Sequence, residues 1–173
     1  MRTVIRLLTG TLLCTGCHQP QTEVAHEMWY NNTKAVIIDQ ASVEADSVAY
    51  TFNADSSRKI IQDYHQQHLL ITRGFQQGNL QYEIYYSKQG DFEWRRELCE
   101  NGQPAFEGIF YKNEGYGLTT WYNCDGNIRE QGVRLKNEKA GAWKTWNDSA
   151  RSLQQTRYTP GPSMDAFPKI NKF

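Results

Sequence analysis

Asn101-Gly102, Glu107-Gly108, Tyr111-Lys112-Asn113-Glu114, Gly117 and Tyr122 are followed 24 residues later by Asp125-Gly126, Gln131-Gly132, Leu135-Lys136-Asn137-Glu138, Gly141 and Trp146. Fainter echoes stand one period earlier, at Gly78, Lys88-Gln89 and Leu98. This many coincidences in a single register mark an internal repeat, and a repeat decides the fold before any other signal does. Each unit reads as a hairpin. An Asn-Gly or Asp-Gly turn opens it, a dipeptide that favours a type I′ turn because both central residues must reach φ > 0. A strand follows, 105–112 or 128–136, then a polar turn at 113–116 or 137–140. A shorter strand starts at a glycine, 117–122 or 141–146. A lone hairpin is marginal in water, so the units must stack side by side and share a core. The expected fold class is therefore all-β, a stack of antiparallel hairpins.

Upstream, residues 47–52 and 69–72 read as strands rich in β-branched and aromatic residues, and so do 35–39 (Ala-Val-Ile-Ile-Asp). Residues 58–64 suit a strand or a helical turn. Seven Phe, ten Tyr and five Trp accompany an apolar fraction of only 39%, which points to a thin core built from rings. In 141–146, Trp146 and its repeat mate Tyr122 are expected inside. Trp143 is left for a neighbouring turn or the surface. An exposed aromatic patch along the stack, around Trp94, Trp121 and Trp143, is the expected binding surface.

The first sixteen residues are a separate object. Arg2 and Arg6 precede the short apolar run Leu7–Leu13, the pattern of a secretory signal peptide. The run falls well short of the roughly 20 residues of a membrane-spanning helix. It ends in Leu13-Cys14-Thr15-Gly16-Cys17, which resembles the bacterial lipobox, although Cys14 stands where that motif usually has Leu. The resemblance implies that Cys17 becomes an acylated N-terminus, and that His18 in the next position, where Asp is absent, directs the protein to the outer membrane, facing the periplasm. An ordinary cleaved leader with a soluble periplasmic or secreted product is the alternative. Removing residues 1–16 takes away Arg2 and Arg6 and no acid, so two more acids than bases remain. With no global basic charge, nucleic acid is not an expected partner.

The hairpin units resemble the bacterial variant of the MORN repeat, with its Asn-Gly, Glu-Gly, Tyr-Lys-Asn turn and Gly-x-Trp-x-x-aromatic segments. The resemblance spans about residues 75–158. Gly117-Leu118-Thr119 lacks the Trp, and Glu93 stands for the glycine in the first copy. It implies a stacked-hairpin fold with a binding role and no catalytic residues. The expected organisation is 1–16 signal peptide, 17–30 flexible tether, 31–74 N-terminal β segment or cap, 75–158 repeats, and 159–173 tail. The tail is either disordered or a cap on the last hairpin. The expected function is a lipid-anchored, non-catalytic envelope binding module whose partner is an envelope protein or a glycan. Because that family includes toxin–antitoxin-type proteins, an immunity-like protein is the second reading. An enzyme is the third.

The remaining chemistry is sparse. Cys99 and Cys124 lie almost one period apart in what would be an oxidising compartment, which favours a disulfide. Their registers differ by one residue, so two free thiols stay open as well. Asp63-x-His65-x-x-His68 has two ligand-type histidines but no third, and reads as surface residues rather than a metal site. No nucleophile elbow or phosphate-cradling loop is present. No catalytic residue, metal or cofactor is expected.

Overall fold

A computed structural model describes residues 20–147, 151–158 and 163–171. The expected signal peptide and lipidation site, residues 1–16 and Cys17, lie outside the described residues. The described residues open with helix α1 (Pro20–Ala41) and continue as ten strands: β1 (Ser47–Phe52), β2 (Arg58–His65), β3 (His68–Gln76), β4 (Asn79–Tyr86), β5 (Phe92–Leu98), β6 (Pro104–Tyr111), β7 (Glu114–Tyr122), β8 (Ile128–Leu135), β9 (Glu138–Asn147) and β10 (Ser152–Tyr158). They form one open antiparallel sheet in chain order, each strand paired with the next. The all-β stacked-hairpin class is thus the observed fold, with one helix laid on it.

The repeat is real, and its turn chemistry is inverted from the expectation. The two-residue hairpin turns are Lys112-Asn113 and Lys136-Asn137, with φ of 51° and 67°, and of 53° and 70°. Both central residues are at φ > 0, as a type I′ turn requires, and the same holds at Gln66-Gln67 and Gln77-Gly78 upstream. At Asn101-Gly102 and Asp125-Gly126 only the glycine is left-handed, at 79° and 87°. There the chain makes a longer turn closed by Cys99 N–H to Gln103 O, or by Asn123 N–H to Asn127 O, each 2.8 Å. Side chains brace it: the Asp125 carboxylate accepts from the Asn127 N–H at 2.9 Å, which holds its pKa below the usual carboxylate value. Because the Lys-Asn turns are so short, β7 and β9 begin earlier than expected, and Gly117 and Gly141 sit inside strands at φ 73° and 65°.

Successive turns at each end of the sheet touch. Lys112 N–H donates to Asp91 O (2.9 Å) and Asn137 N–H to Gly115 O (3.0 Å) at one end. At the other end, Asn101 Nδ2 donates to Cys124 O (2.7 Å). The Cys99–Cys124 disulfide joins the same two turns there, with a Cα–Cα distance of 5.7 Å. The one-residue offset between the two cysteines is absorbed because each lies in a turn rather than in a strand register. Closing a loop across a separation of 25 residues stabilises by roughly 3 kcal/mol in the chain-entropy model. Reduction, or Cys99→Ser with Cys124→Ser, is expected to lower stability by about that amount in urea titration while leaving the far-UV spectrum intact. An unchanged midpoint would mean that turn-to-turn hydrogen bonds already hold the stack.

Residues expected as a flexible tether (17–30) and as a strand (35–39) form α1 from Pro20 onward. His26, Tyr30, Thr33, Ile37 and Ala41 are buried, at spacings of four, three, four and four. That is one stripe of a helix. The β-branched Val36-Ile37-Ile38 run mimics a strand, but only the helical period places both Ile37 and Tyr30 against the sheet. Ser42, whose N–H and Oγ bond Asp39 O, ends the helix. α1 crosses one face of the sheet over β3, β4, β5 and β7. Its core cluster is Tyr30, Ile37, Phe92, Trp94 and Ile109.

Two further boundaries differ from expectation. β3 runs through 74/75, and of the β segment or cap expected at 31–74, residues 31–41 belong to α1 while β1–β3 continue the same sheet. The described tail, 163–171, returns to the helix and not to the last hairpin. Phe167 packs with Trp29, Tyr116 and Val133, and Trp29 Nε1 donates to Pro168 O at 3.1 Å. Gln40 Nε2 donates to Asn171 O.

Candidate binding surfaces

The three tryptophans expected as a surface patch are not one. Trp94 is 5% exposed and Trp143 only 1%, while Trp121 is half-buried. Trp94 lies beneath α1, where its Nε1 donates to Tyr30 Oη at 3.3 Å and Lys34 Nζ sits 4.1 Å from its ring centre. Burial pushes the Tyr30 phenol far up, so it stays a neutral partner.

Trp121 and Trp143 belong to the opposite face of the sheet. Phe110, Phe106, Trp121, Trp143 and Tyr158 form a continuous ring ladder across β6, β7, β9 and β10, with neighbouring centroids 5.2 to 6.3 Å apart. Strand β8 contributes the gap that makes this fit. Gly132 is the register partner of Trp143, and a Cβ there would stand 2.3 Å from the indole. Trp143 Nε1 donates to Val133 O at 3.0 Å. Arg134 and Lys139 then close over the ring, at 5.7 and 4.4 Å from its centre, burying their stems against it. Trp146, expected inside, is 36% exposed. Strand alternation places it on the other face from Trp143, where its register partner is Leu153.

The helix-side face carries a row of alternating charge beyond the edge of α1. Asp63 pairs with Arg73 at 2.6 Å, Arg73 faces Glu83 at 3.6 Å, and Glu107 lies 3.5 Å from both Arg96 and Lys34. These side chains are about one-seventh to one-third exposed. The row docks the helix and orders the sheet, and its carboxylates are engaged with cations.

His65 and His68 face each other across the β2–β3 turn. His65 Nδ1 lies 2.9 Å from Glu44 O and 3.8 Å from Asp46, while Asp63 is held by Arg73. Among the described residues no three His, Cys, Asp or Glu side chains are placed to hold a metal ion. His68 also borders an open cleft of about 690 Å³ between the end of α1, the tail and the 87–91 turn, with Gln40, Lys88, Asp91 and Tyr111. Its polar groups are partly committed, since Gln40 Oε1 accepts from Lys88 N–H at 2.9 Å.

The surface that sequence reading missed is β1. All six of its residues are exposed, and Val48, Tyr50 and Phe52, at 44%, 58% and 56%, share one side. It is the first strand of the open sheet, and among the described residues it pairs only with β2. The alternation in Ser-Val-Ala-Tyr-Thr-Phe was legible, but its position at an edge was not. Among the described residues no helix is long and apolar enough to cross a membrane.

No protein-family profile and no curated protein matches the chain. Among solved structures, an S. aureus TarM mutant in complex with fondaparinux, alpha-GlcNAc-glycerol and UDP is similar with a TM-score of 0.29 and 9% identity over 77% of this chain. The chain spans 24% of that protein's length. A likeness this slight carries no argument about fold or activity.

Proposed function

We propose that the protein is a lipid-anchored, non-catalytic binding module of a bacterial envelope, built as a MORN-like hairpin stack and recognising an extended segment of an envelope protein along β1. The observation that carries this reading is the state of that edge. Open sheets normally blunt their edges with charge, proline, bulges or a covering element. β1 has no charged residue and no proline, its pairing with β2 is regular, and all six of its residues are exposed. A free edge with a row of alternating apolar side chains suits strand addition, in which main-chain hydrogen bonds supply affinity and the alternate side chains supply selectivity. The leader ending at Cys17 supports display at the membrane.

The test places a photo-crosslinking amino acid at Tyr50 in cells and compares it with one at Glu138, at the remote β8–β9 turn. A discrete protein adduct is expected only from position 50. Val48→Lys with Phe52→Lys should abolish it while shifting stability by no more than about 0.5 kcal/mol, as exposed substitutions do. Equal adducts from both positions, or none from position 50, would remove the β1 reading. A glycan partner would give no protein adduct and would count against it in the same way.

A further inference from the structure

We infer that the edge of the molecule formed by the first turns of α1 and the outermost strand pair β9–β10 is a membrane seat, resting on the bilayer interface; this deepens the lipid-anchor reading and rests on it. Only three Cα steps separate Cys17 from Pro20, the first residue of α1. Whatever their conformation, they span at most about 11 Å. The helix cannot swing out to lengthen that reach, because His26, Tyr30 and Ile37 are 3%, 7% and 0% exposed. A lipid on Cys17 therefore leaves the protein at the first turn of α1, and the body lies close against the bilayer instead of hanging from a tether.

The side chains at that edge match the demand. The first turns of α1 lie beside β10, where Arg157 is 4.0 Å from Glu23. Leu153, Gln155 and Arg157 alternate on the helix side of β10, and Trp146 is the register partner of Leu153. Val24 and Met28, one helical turn apart, are 53% and 59% exposed, and Trp146 and Leu153 are 36% and 45% exposed. Lys144 shares the face of Trp146 one residue pair away. Aliphatic side chains, an indole and flanking cations are the composition that settles at the headgroup level. Glu23 and Glu27 stand on the same turns of the helix, with Glu23 offset by Arg157. The opposite edge, at Val48, is nine strand spacings away, roughly 40 Å along the sheet.

The experiment uses the full lipidated chain with Cys99–Cys124 oxidised. A single labelling thiol is introduced by Met28→Cys, Leu153→Cys or Val48→Cys and carries an environment-sensitive fluorophore. The protein is reconstituted into vesicles of phosphatidylethanolamine and phosphatidylglycerol that contain a shallow nitroxide-lipid quencher. Labels at 28 and 153 are expected to shift to the blue and lose most of their emission, while the label at 48 keeps its own. Lipidated protein, verified by intact mass, with equally weak quenching at all three positions would overturn the seat and leave the anchor standing. Strong quenching at 48 alone would overturn it by reversing the orientation. A mass without lipid would overturn the Cys17 reading and the seat together.

Discussion

Trp143→Ala is expected to lower stability by about 3–5 kcal/mol, the range for removing a buried large aromatic side chain. The ring is the least exposed member of a ladder that spans four strands, and its loss strips Arg134 and Lys139 of the surface their stems cover. Gly132→Ala is expected to be damaging for the complementary reason. The glycine has an ordinary strand conformation, so the added methyl group is not strained by the backbone. It meets indole atoms at 2.3 to 2.5 Å, contacts that force the ring or the strand to move, at about 1–3 kcal/mol or more. The two effects are coupled. In the Trp143→Ala background the methyl group has room, so Gly132→Ala should become nearly neutral. Urea titration of the four proteins of this double-mutant cycle checks the packing directly. If Gly132→Ala costs the same in both backgrounds, the glycine matters for some reason other than seating the indole.

The second large effect concerns α1. Ile37→Asp places a carboxylate at a fully buried site among Trp94, Ile109 and Tyr30, where a charge without a partner is strongly unfavourable. The loss should exceed the roughly 2–5 kcal/mol expected for Ile37→Ala. Ala35→Asp on the exposed side of the same helix is the control, expected within about 0.5 kcal/mol. Hydrogen exchange should show the amides of 26–41 losing protection in Ile37→Asp and keeping it in Ala35→Asp. Equal, small effects from both substitutions would mean that Ile37 is not buried against the sheet and that α1 does not pack there.

That segment shows why part of the fold was illegible. The inward stripe of α1 is carried by His26, Tyr30 and Thr33 as much as by Ile37 and Ala41, so its apolar signal is diluted. A spacing of four and three from His26 onward was the available clue, and Val36-Ile37-Ile38 masked it by resembling a strand. The candidate surface was misplaced for a related reason. An exposed patch at Trp94, Trp121 and Trp143 is what a binding stack of hairpins leads one to expect, yet Trp94 and Trp143 are buried. Nothing local to Trp94 announces a helix arriving from sixty residues upstream, and nothing local to Trp143 announces Gly132 beneath it. The Gly132 signal was present in the 24-residue repeat, where Gly108 holds the equivalent place, but its role depends on which side chain crosses from the next strand.

By itself the sequence determined the all-β class and the hairpin succession of the repeat region, while the pairing of Cys99 with Cys124 stayed open between a disulfide and two free thiols. The class and the succession follow from turn residues and alternation, whose energetics act over a few positions and repeat without reference to the rest of the chain. The tertiary structure alone decided which turns are type I′, which face each tryptophan enters, that α1 covers the sheet, and that β1 is left bare. These depend on where distant segments compete for the same apolar surface, and burial is settled by that competition rather than by the residues that end up buried.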